Sequence, residues 1–272
     1  MRVVHISGPD DPRAADYRDI SDHERLRARN LFVAEGRIVV ERLIRDRRFA
    51  VRSLLLNAAA WRALEAQVVD LGADVTVFVC DTGDFEGLTG YNIHRGCLAL
   101  ASRPAPLSLD DLIAGARSLV VLEDVANVDN VGGIFRNAAA FGVDGVVLSH
   151  GCGDPLYRKA IRTSMAATLR VPFAVVPADD WQAALIRLRE RGFQIVALTL
   201  REPAVDLDAW ARGPRSDRLG LVLGAEGAGL STATEAAADV RVRIPIRPEV
   251  DSLNVAVAAG IALHRLLGSA RL

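Results

Sequence analysis

The sequence predicts an α/β protein with two units, each built from strands that alternate with helices. Short apolar runs such as Leu119–Leu122 and Leu219–Leu223 have the length and composition of buried strands, and helical patterns lie between them. This alternation predicts a mostly parallel sheet with helices on both faces. The segment 102–106 contains two prolines and little hydrophobicity. It predicts a linker between a smaller unit, residues 1–105, and a larger unit, residues 106–272.

The composition favours a soluble protein of the cytoplasm. Half of the 272 residues are hydrophobic, a quarter are charged, and the formal net charge is -1. No apolar run reaches the ~20 residues that a membrane helix needs, and the N-terminus lacks the apolar core of a signal peptide. The three cysteines and five histidines are scattered, without a CxxC pair. We therefore expect reduced thiols and no metal site.

Four strands are expected in the first unit, and residues 1–20 are predicted to be irregular. The strands are Leu31–Ala34, Val51–Leu56, Val75–Cys80 and Cys97–Ala101. Helices are expected from Asp22 to about Asn30, after Gly36, and over Ala58–Leu71, with a helical turn at Phe85–Leu88.

Positive charge is almost entirely arginine, since Lys159 is the only lysine. A GC-rich genome explains such a bias, and so does the fit of the planar guanidinium to phosphates and stacked bases. The segment Asp22–Arg52 contains nine arginines, and acidic residues offset only part of their charge. This segment is either a solvated helix face or an RNA-facing patch.

Six strands are expected in the second unit, again between helices. The strands are Leu119–Leu122, Gly145–Ser149, Phe173–Val176, Gln194–Leu198, Leu219–Leu223 and Val240–Ile244. The helices are Leu109–Ala114, Asn130–Phe141, Pro155–Ser164, Asp179–Arg191, Asp206–Ala211 and a C-terminal helix that ends near Leu267. We expect Asn130 and Ser252 to cap the helices that follow them.

Polar residues occupy the loops after several strands, where open α/β sheets bind their ligands. Glu226, Ser252 and Asn254 lie in otherwise apolar surroundings after the last two strands. Asn130 and Arg136 follow Leu119–Leu122, the first strand of the second unit, in a stretch whose glycines allow close backbone approach. An arginine near the start of a helix is suited to binding an anion. The alternative is that Arg136 is an ordinary surface residue after a strand-to-helix turn.

Common nucleotide-binding and acyl-transfer motifs do not fit this chain. The stretch 224–229 reads GAEGAG, which lacks the G-x-G-x-x-G spacing and lies too late for a dinucleotide fingerprint. No phosphate loop of the form G-x-x-x-x-G-K-[ST] and no G-x-S-x-G nucleophile elbow occurs. A nucleotide-dependent enzyme of Rossmann type is therefore a disfavoured alternative.

Three ordered motifs carry a resemblance to a known family. They are NVGGIFRNA at residues 130–138, LVLGAEGAGLS at 221–231, and IPI followed by SLNVAVAAG within 244–260. Together they resemble the motifs of the SpoU (TrmH-type) RNA ribose 2'-O-methyltransferases of the SPOUT superfamily. The resemblance covers about residues 118–267. The first hundred residues resemble, more weakly, the substrate-binding domain of this family, which is similar to small ribosomal proteins that bind kinked RNA.

The resemblance implies a deep trefoil knot in the C-terminal domain and S-adenosylmethionine bound in a bent shape by backbone groups of the knot. General rules make knots very improbable, so this expectation rests on the resemblance alone. The family's cofactor contacts map onto Leu198, Thr199, Leu223, Gly224, Gly229, Ile244, Ile246 and Leu253. Two mild departures are Ile246, where methionine is common, and Ala256, where serine is frequent.

The family's polar site maps onto Asn130, Arg136, Glu226, Ser252 and Asn254. Through the resemblance, we expect Arg136 to bind the phosphate beside the target ribose and to help activate its 2'-hydroxyl. The asparagines and Ser252 would orient the ribose and the loops, and Glu226 would anchor the site. A hydroxyl is a poor nucleophile, so its attack on a sulfonium methyl needs proton removal and accurate placement.

The resemblance thus implies an enzyme that methylates a ribose 2'-hydroxyl of RNA, with ribosomal RNA favoured as the substrate. The alternatives are a transfer-RNA 2'-O-methyltransferase and a non-catalytic RNA-binding factor of ribosome assembly. A homodimer is expected, because relatives pair through the knotted domain. The small residues Val255, Ala258, Ala259 and Ala262 belong either to that contact or to the core of one subunit.

Overall fold

The chain folds into two compact units. The computed structural model describes residues 1–8, 10–18, 20, 22–90 and 96–268. The first unit comprises Met1–Ala105 together with Leu156–Leu169, and the second comprises Pro106–Pro155 and Arg170–Leu272. The segment 156–169 therefore belongs by its contacts to the first unit, although it lies within the sequence of the second.

The sheet of the first unit has five strands. They are β1 (Arg2–His5), β2 (Leu31–Glu35), β3 (Val51–Asn57), β4 (Thr76–Cys80) and β5 (Cys97–Ser102), arranged in the order β1-β4-β3-β5-β2. The first three strands of that order are parallel, whereas β5 is antiparallel to both of its neighbours. The prediction that residues 1–20 are irregular is wrong for β1. Only one of its four residues is buried, so this edge strand has little apolar pattern.

Helices and a buried, mostly aliphatic core complete the first unit. The helices in its N-terminal part are α1 (His23–Ala28), α2 (Arg37–Asp46), α3 (Ala58–Val68) and α4 (Thr82–Thr89). Tyr17 is fully buried in the core, where its hydroxyl lies 2.9 Å from Oγ of Ser53. Such a partner is needed because an unpaired buried hydroxyl destabilises the folded state.

The sheet of the second unit has seven strands, all parallel. They are β6 (Ser118–Glu123), β7 (Gly145–Ser149), β8 (Phe173–Val176), β9 (Gln194–Leu198), β10 (Val205–Asp206), β11 (Leu219–Gly224) and β12 (Val240–Arg243), in the order β10-β12-β9-β11-β6-β7-β8. The predicted parallel α/β fold is thus confirmed. Adjacent residues such as Val120 and Val121 face opposite sides of the sheet and are both fully buried, which explains the near-continuous apolar runs.

Seven helices follow the first unit's four along the described chain. They are α5 (Leu109–Ile113), α6 (Val128–Ala140), α7 (Arg158–Thr163), α8 (Trp181–Glu190), α9 (Leu207–Ala211), α10 (Thr232–Ala237) and α11 (Val255–Leu267). Helix α7 lies in the segment that joins the first unit. There Arg158 and Arg162 both bind the buried carboxylate of Glu35, at 3.0 and 3.2 Å.

Both predicted helix caps are wrong. Helix α6 is capped by Asn127, whose side chain accepts from Asp129 N, so Asn130 lies inside the helix and its side chain is free to bind elsewhere. Helix α11 is capped by Asn254, whose Oδ1 accepts from Ala256 N and Val257 N. Ser252 lies outside the helix because the backbone turns into it only after Asn254.

Candidate active site

One cavity lies at the carboxyl edge of the parallel sheet, with a volume of about 570 Å³. Three chain segments surround it: the loop after β9, the loop after β11, and the segment between β12 and α11. All eight residues expected to contact a cofactor border it, namely Leu198, Thr199, Leu223, Gly224, Gly229, Ile244, Ile246 and Leu253. Their roles as cofactor contacts stay a prediction.

The loop after β11 is folded tightly against itself. Gly229 N donates to Ala225 O at 2.9 Å, and Gly227 and Gly229 have φ angles of +82° and +70°. A Cβ atom on Gly224 would lie 2.3 Å from the carbonyl carbon of Gly229, which is closer than real contacts allow. Glycine is therefore required at 224 by the neighbouring backbone rather than by its own φ angle.

Two asparagines and one glutamate form a hydrogen-bonded cluster at this cavity. Asn254 Nδ2 donates to Asn130 Oδ1 at 2.9 Å and to Glu226 Oε1 at 3.0 Å. Asn130 is 7% exposed, and its Nδ2 has no hydrogen-bond partner within the described residues. Buried polar atoms are normally hydrogen-bonded, so this unpaired amide beside the cavity is an exception within the described chain.

The remaining two predicted polar residues lie in different places. Ser252 borders the cavity together with Glu226 and Asn254. Arg136 is exposed on α6 and does not border the cavity. It lies about 9 Å further along the helix axis than Asn130, at the usual rise per residue. Of the five predicted polar site residues, four therefore lie at or beside the cavity, and Arg136 lies away from it.

Close packing of α11 on α6 brings the asparagine cluster together. Asn137 Nδ2 donates to Ala256 O at 2.7 Å. A Cβ atom on Gly133 would lie 2.8 Å from Cβ of Ala256, so the two helices approach almost to backbone contact. Val255, Ala259 and Ala262 are buried within the chain, so these three small residues belong to its core and not to a subunit contact.

Arg201 is a residue of the cavity wall that the sequence motifs did not reveal. Its Nη1 donates to Leu230 O at 2.8 Å and its Nη2 to Ala228 O at 2.7 Å, and these two hydrogen bonds hold the loop after β11. The adjacent Thr199 donates to the buried carboxylate of Glu235 at 2.7 Å. The sequence carries no signal for the two contacts of Arg201, because the carbonyl oxygens that accept them are backbone atoms far along the chain.

The thiol nearest this edge of the sheet is not an activated nucleophile. Burial raises the pKa of Cys152, and its Sγ donates to Leu122 O at 3.3 Å. In the described ranges, no three His, Cys, Asp or Glu side chains are grouped so that they could bind a metal ion. Among the helices of the same described part, none has the length and apolar character to cross a membrane.

A parallel sheet with a cofactor-sized cavity at its carboxyl edge and polar side chains beside it is the usual arrangement of a ligand-binding site in an α/β enzyme. Comparison with protein families makes the class specific. Residues 117–264 match the model of the SpoU rRNA Methylase family. The chain belongs to this family.

Two relatives span nearly the whole chain. An "uncharacterized tRNA/rRNA methyltransferase" of Mycobacterium tuberculosis is 39% identical over 268 residues, which is 97% of this chain and 91% of the relative. The 23S rRNA (guanosine(2553)-2'-O)-methyltransferase RlmP of Bacillus subtilis is 23% identical over 266 residues, 98% of this chain and 100% of the relative.

Solved structures share the fold. An S-adenosylmethionine-bound rRNA methyltransferase from Sinorhizobium meliloti has a TM-score of 0.84 at 24% identity, covering 99% of both chains. The SpoU methyltransferase AviRb from Streptomyces viridochromogenes, in complex with the same cofactor, has a TM-score of 0.78 at 20% identity, covering 95% of this chain and 98% of its own.

The chain is accordingly an RNA methyltransferase of this family, and its cavity has the size and lining to hold the S-adenosylmethionine that is bound in those solved structures. Its volume is within the range of small-molecule sites, ~300–1,000 Å³. Leucine and isoleucine side chains offer an apolar surface for a purine ring, and the glycine-rich loop exposes backbone N–H and C=O groups without intervening side chains. Glu226 and Asn254 supply polar groups at the same wall.

Proposed function

We propose that this protein transfers the methyl group of S-adenosylmethionine to a ribose 2'-hydroxyl of ribosomal RNA. The observation that carries the proposal is the hydrogen-bonded cluster of Asn130, Asn254 and Glu226 beside the cofactor-sized cavity. The name of the Bacillus subtilis relative supports both the ribose position and the ribosomal substrate for this family. The protein would act in the cytoplasm, where bacterial ribosomes are assembled.

The bound cofactor supplies an electrophilic methyl group on a positively charged sulfur. The cavity residues Leu198, Leu223, Ile244, Ile246 and Leu253 would pack against the adenine. Backbone groups at Gly224 and Gly229 would bind its polar edge. Thr199 already donates to Glu235, so its role is to hold the loop after β9 in place rather than to bind the cofactor through its hydroxyl.

The polar residues would bind and orient the nucleotide that is methylated. The free Nδ2 of Asn130 would donate to an oxygen of the ribose or its phosphate. Arg136 would bind the adjacent phosphate and stabilise the oxyanion that develops as the 2'-hydroxyl loses its proton. Glu226 would hold Asn254 in place, and Ser252 would contact the ribose from the cavity wall.

The first unit would select the RNA. Its segment Asp22–Arg52 exposes Arg27, Arg37 and Arg52 to solvent. Structured RNA is recognised largely through its shape, its phosphates and its unpaired loop bases, and arginine binds phosphates and stacks on bases. Nothing in the cavity loops could read a base sequence over several nucleotides, so a separate RNA-binding surface is needed.

A second copy of the chain would complete the enzyme. Helix α11 exposes two apolar residues one turn apart, Val257 at 54% and Ile261 at 42%. Two exposed apolar residues side by side on one helix support a homodimer that buries them. The trefoil knot of the C-terminal unit stays a prediction from the family resemblance. A monomeric mass by light scattering at micromolar concentration would contradict the dimer.

Two measurements test the proposed function. Calorimetric titration with S-adenosylmethionine should show binding, and labelled methyl groups should be transferred to purified ribosomal RNA in preference to transfer RNA. Cofactor binding without transfer to any RNA would favour a non-catalytic assembly factor. Transfer to transfer RNA alone would replace the ribosomal assignment, which the broader name of the Mycobacterium tuberculosis relative leaves open.

A further inference from the structure

Glu123, at the end of β6, is a buried carboxylate with an unusually full set of partners. It is 6% exposed. Its Oε1 accepts from Trp181 Nε1 at 3.0 Å, from Ser231 Oγ at 2.8 Å and from Thr234 Oγ1 at 2.7 Å. Its Oε2 accepts from the backbone N–H of Ser231 at 2.8 Å. Four donors therefore converge on one side chain that takes no part in the proposed chemistry.

The position of Glu123 relates it to the cavity. In the ladder between β6 and β11, Glu123 lies opposite Gly224, the first residue of the cavity loop. Its carboxylate binds both the backbone and the hydroxyl of Ser231, immediately after the last cavity residue of that loop, Leu230. One residue is thus fixed to both ends of the loop that carries Glu226.

We propose that Glu123 is a positioning residue that holds the loop 224–231 in the conformation that binds S-adenosylmethionine. The inference rests on the proposed role of this cavity in cofactor binding. Glu123 itself touches neither cofactor nor RNA. It acts through Ser231 on the loop backbone, and through the loop on the hydrogen bond between Glu226 and Asn254.

The chemistry of the four donors requires a carboxylate at this position. Glutamine has the same shape, but one of its two terminal atoms is an NH₂ donor. If that group occupied the Oε2 position, it would oppose the backbone N–H of Ser231. If it occupied the Oε1 position, it would oppose the indole N–H of Trp181, which would keep only its second acceptor, Thr234 Oγ1 at 3.1 Å. Neither of these N–H groups can rotate into an acceptor, whereas the hydroxyls of Ser231 and Thr234 can.

Glu123→Gln should therefore weaken cofactor binding about 10-fold or more, the usual effect of leaving a buried polar group opposed or unpaired. The KM for S-adenosylmethionine should rise by a larger factor than the KM for RNA. Trp181→Phe removes the fixed donor on the Oε1 side, so an NH₂ group there would face only rotatable hydroxyls. The double variant Glu123→Gln/Trp181→Phe should thus bind the cofactor more tightly than Glu123→Gln alone.

The experiment measures cofactor affinity by calorimetry for the full-length protein, these three variants and a control. Glu35→Gln is the control, because Glu35 is also a buried carboxylate, at 5% exposed, but lies in the first unit. It should leave cofactor affinity unchanged. Thermal unfolding verifies that each protein is folded. If Glu123→Gln does not fold, Thr234→Val replaces it, since it removes a single donor to Oε1 and should weaken binding several-fold.

The outcomes separate this inference from the proposed function. A wild-type protein that fails to bind S-adenosylmethionine overturns the assignment of the cavity. A wild-type protein that binds, with Glu123→Gln binding equally well, overturns only the role of Glu123. The role is also contradicted if the losses of cofactor affinity in Glu123→Gln and Trp181→Phe simply add in the double variant. The donor conflict requires instead that Trp181→Phe restores part of the affinity that Glu123→Gln loses.

Discussion

Asn254 donates a hydrogen bond from Nδ2 to Oδ1 of Asn130 at 2.9 Å, across 124 positions of sequence. Asn254 Nδ2 also donates to Glu226 Oε1 at 3.0 Å, and Asn254 Oδ1 accepts from the backbone N–H groups of Ala256 and Val257 in the first turn of α11. One side chain therefore caps a helix and joins all three sequence motifs.

These two tasks of Asn254 can be separated by replacing it with aspartate. Asn254→Asp keeps the Oδ1 acceptor that caps α11, and a negative charge at a helix start is favourable. The variant loses both Nδ2 hydrogen bonds and sets a carboxylate against Glu226. We expect methyl transfer to fall about 100-fold, while the melting temperature changes by only a few degrees.

The matched control is Asn127→Asp, which should also keep its cap, on α6, but lies outside the cluster. Its single-turnover rate should be close to that of the wild type. Equal rates for Asn254→Asp and Asn127→Asp would show that the cluster has no part in catalysis.

Arg136 is exposed on α6, and its proposed role is to bind phosphate and activate the hydroxyl. Arg136→Ala should reduce the transfer rate by ~10²-fold or more, as for other lost electrostatic groups, with cofactor affinity little changed. Arg117→Ala is the control: it removes an exposed arginine just before β6, at the edge of the sheet away from the cavity, and should leave the transfer rate nearly unchanged. Near-normal turnover by Arg136→Ala would remove it from the site.

The loop after β11 requires glycine at 224, and an added methyl group tests whether its folded shape binds the cofactor. Gly224→Ala would bring Cβ within 2.3 Å of the carbonyl carbon of Gly229, so the loop must open. Affinity for S-adenosylmethionine should fall at least 10-fold. Gly115→Ala is the control, because no atom lies within 4 Å of its added Cβ. Unchanged affinity in Gly224→Ala would place the cofactor elsewhere.

Exposed arginines of the first unit should control RNA affinity and not cofactor affinity. Replacing Arg27, Arg37 and Arg52 together by alanine should weaken RNA binding at low salt. Each lost phosphate contact reduces the slope of log K against log salt by roughly 0.7 to 0.9. Calorimetry with S-adenosylmethionine should give the wild-type affinity. An unchanged RNA affinity and salt slope would assign RNA recognition to another surface.

Much of the second unit could be predicted from sequence because its strands are buried on both faces. Their apolar runs are continuous, so the six predicted strands all occur. The two-residue strand β10 and the helix α10 were not predicted, since neither carries a periodic apolar pattern. In the first unit, β1 was missed for the same reason.

Local sequence was least informative where several residues could serve equally well. The predicted cap Asn130 and the observed cap Asn127 are the same residue type three positions apart, and tertiary contacts decide between them. Asn130 is drawn to Asn254, so Asn127 becomes the cap. The helix α7 was predicted, but its contacts with the first unit, which include two ion pairs with Glu35, are encoded by no local pattern.

Some residues of the candidate active site were predicted from sequence, and others were not. Most cavity-lining residues came from the second and third motifs, because each of these follows a strand and parallel strands end at one edge of the sheet. Glu123 and Arg201 were not identified, because they act on loop backbone and on residues far along the chain. Their role depends on geometry that only the folded chain provides.

The position of the transferred methyl group tests the central claim most directly. The full-length protein would be incubated with isotopically labelled S-adenosylmethionine and ribosomal RNA transcribed without modifications, and the RNA would then be digested to nucleosides and analysed by mass spectrometry. We expect label in a single 2'-O-methylated nucleoside and little label with Asn254→Asp. Label on a base, or no label in ribosomal RNA while transfer RNA is methylated, would contradict it.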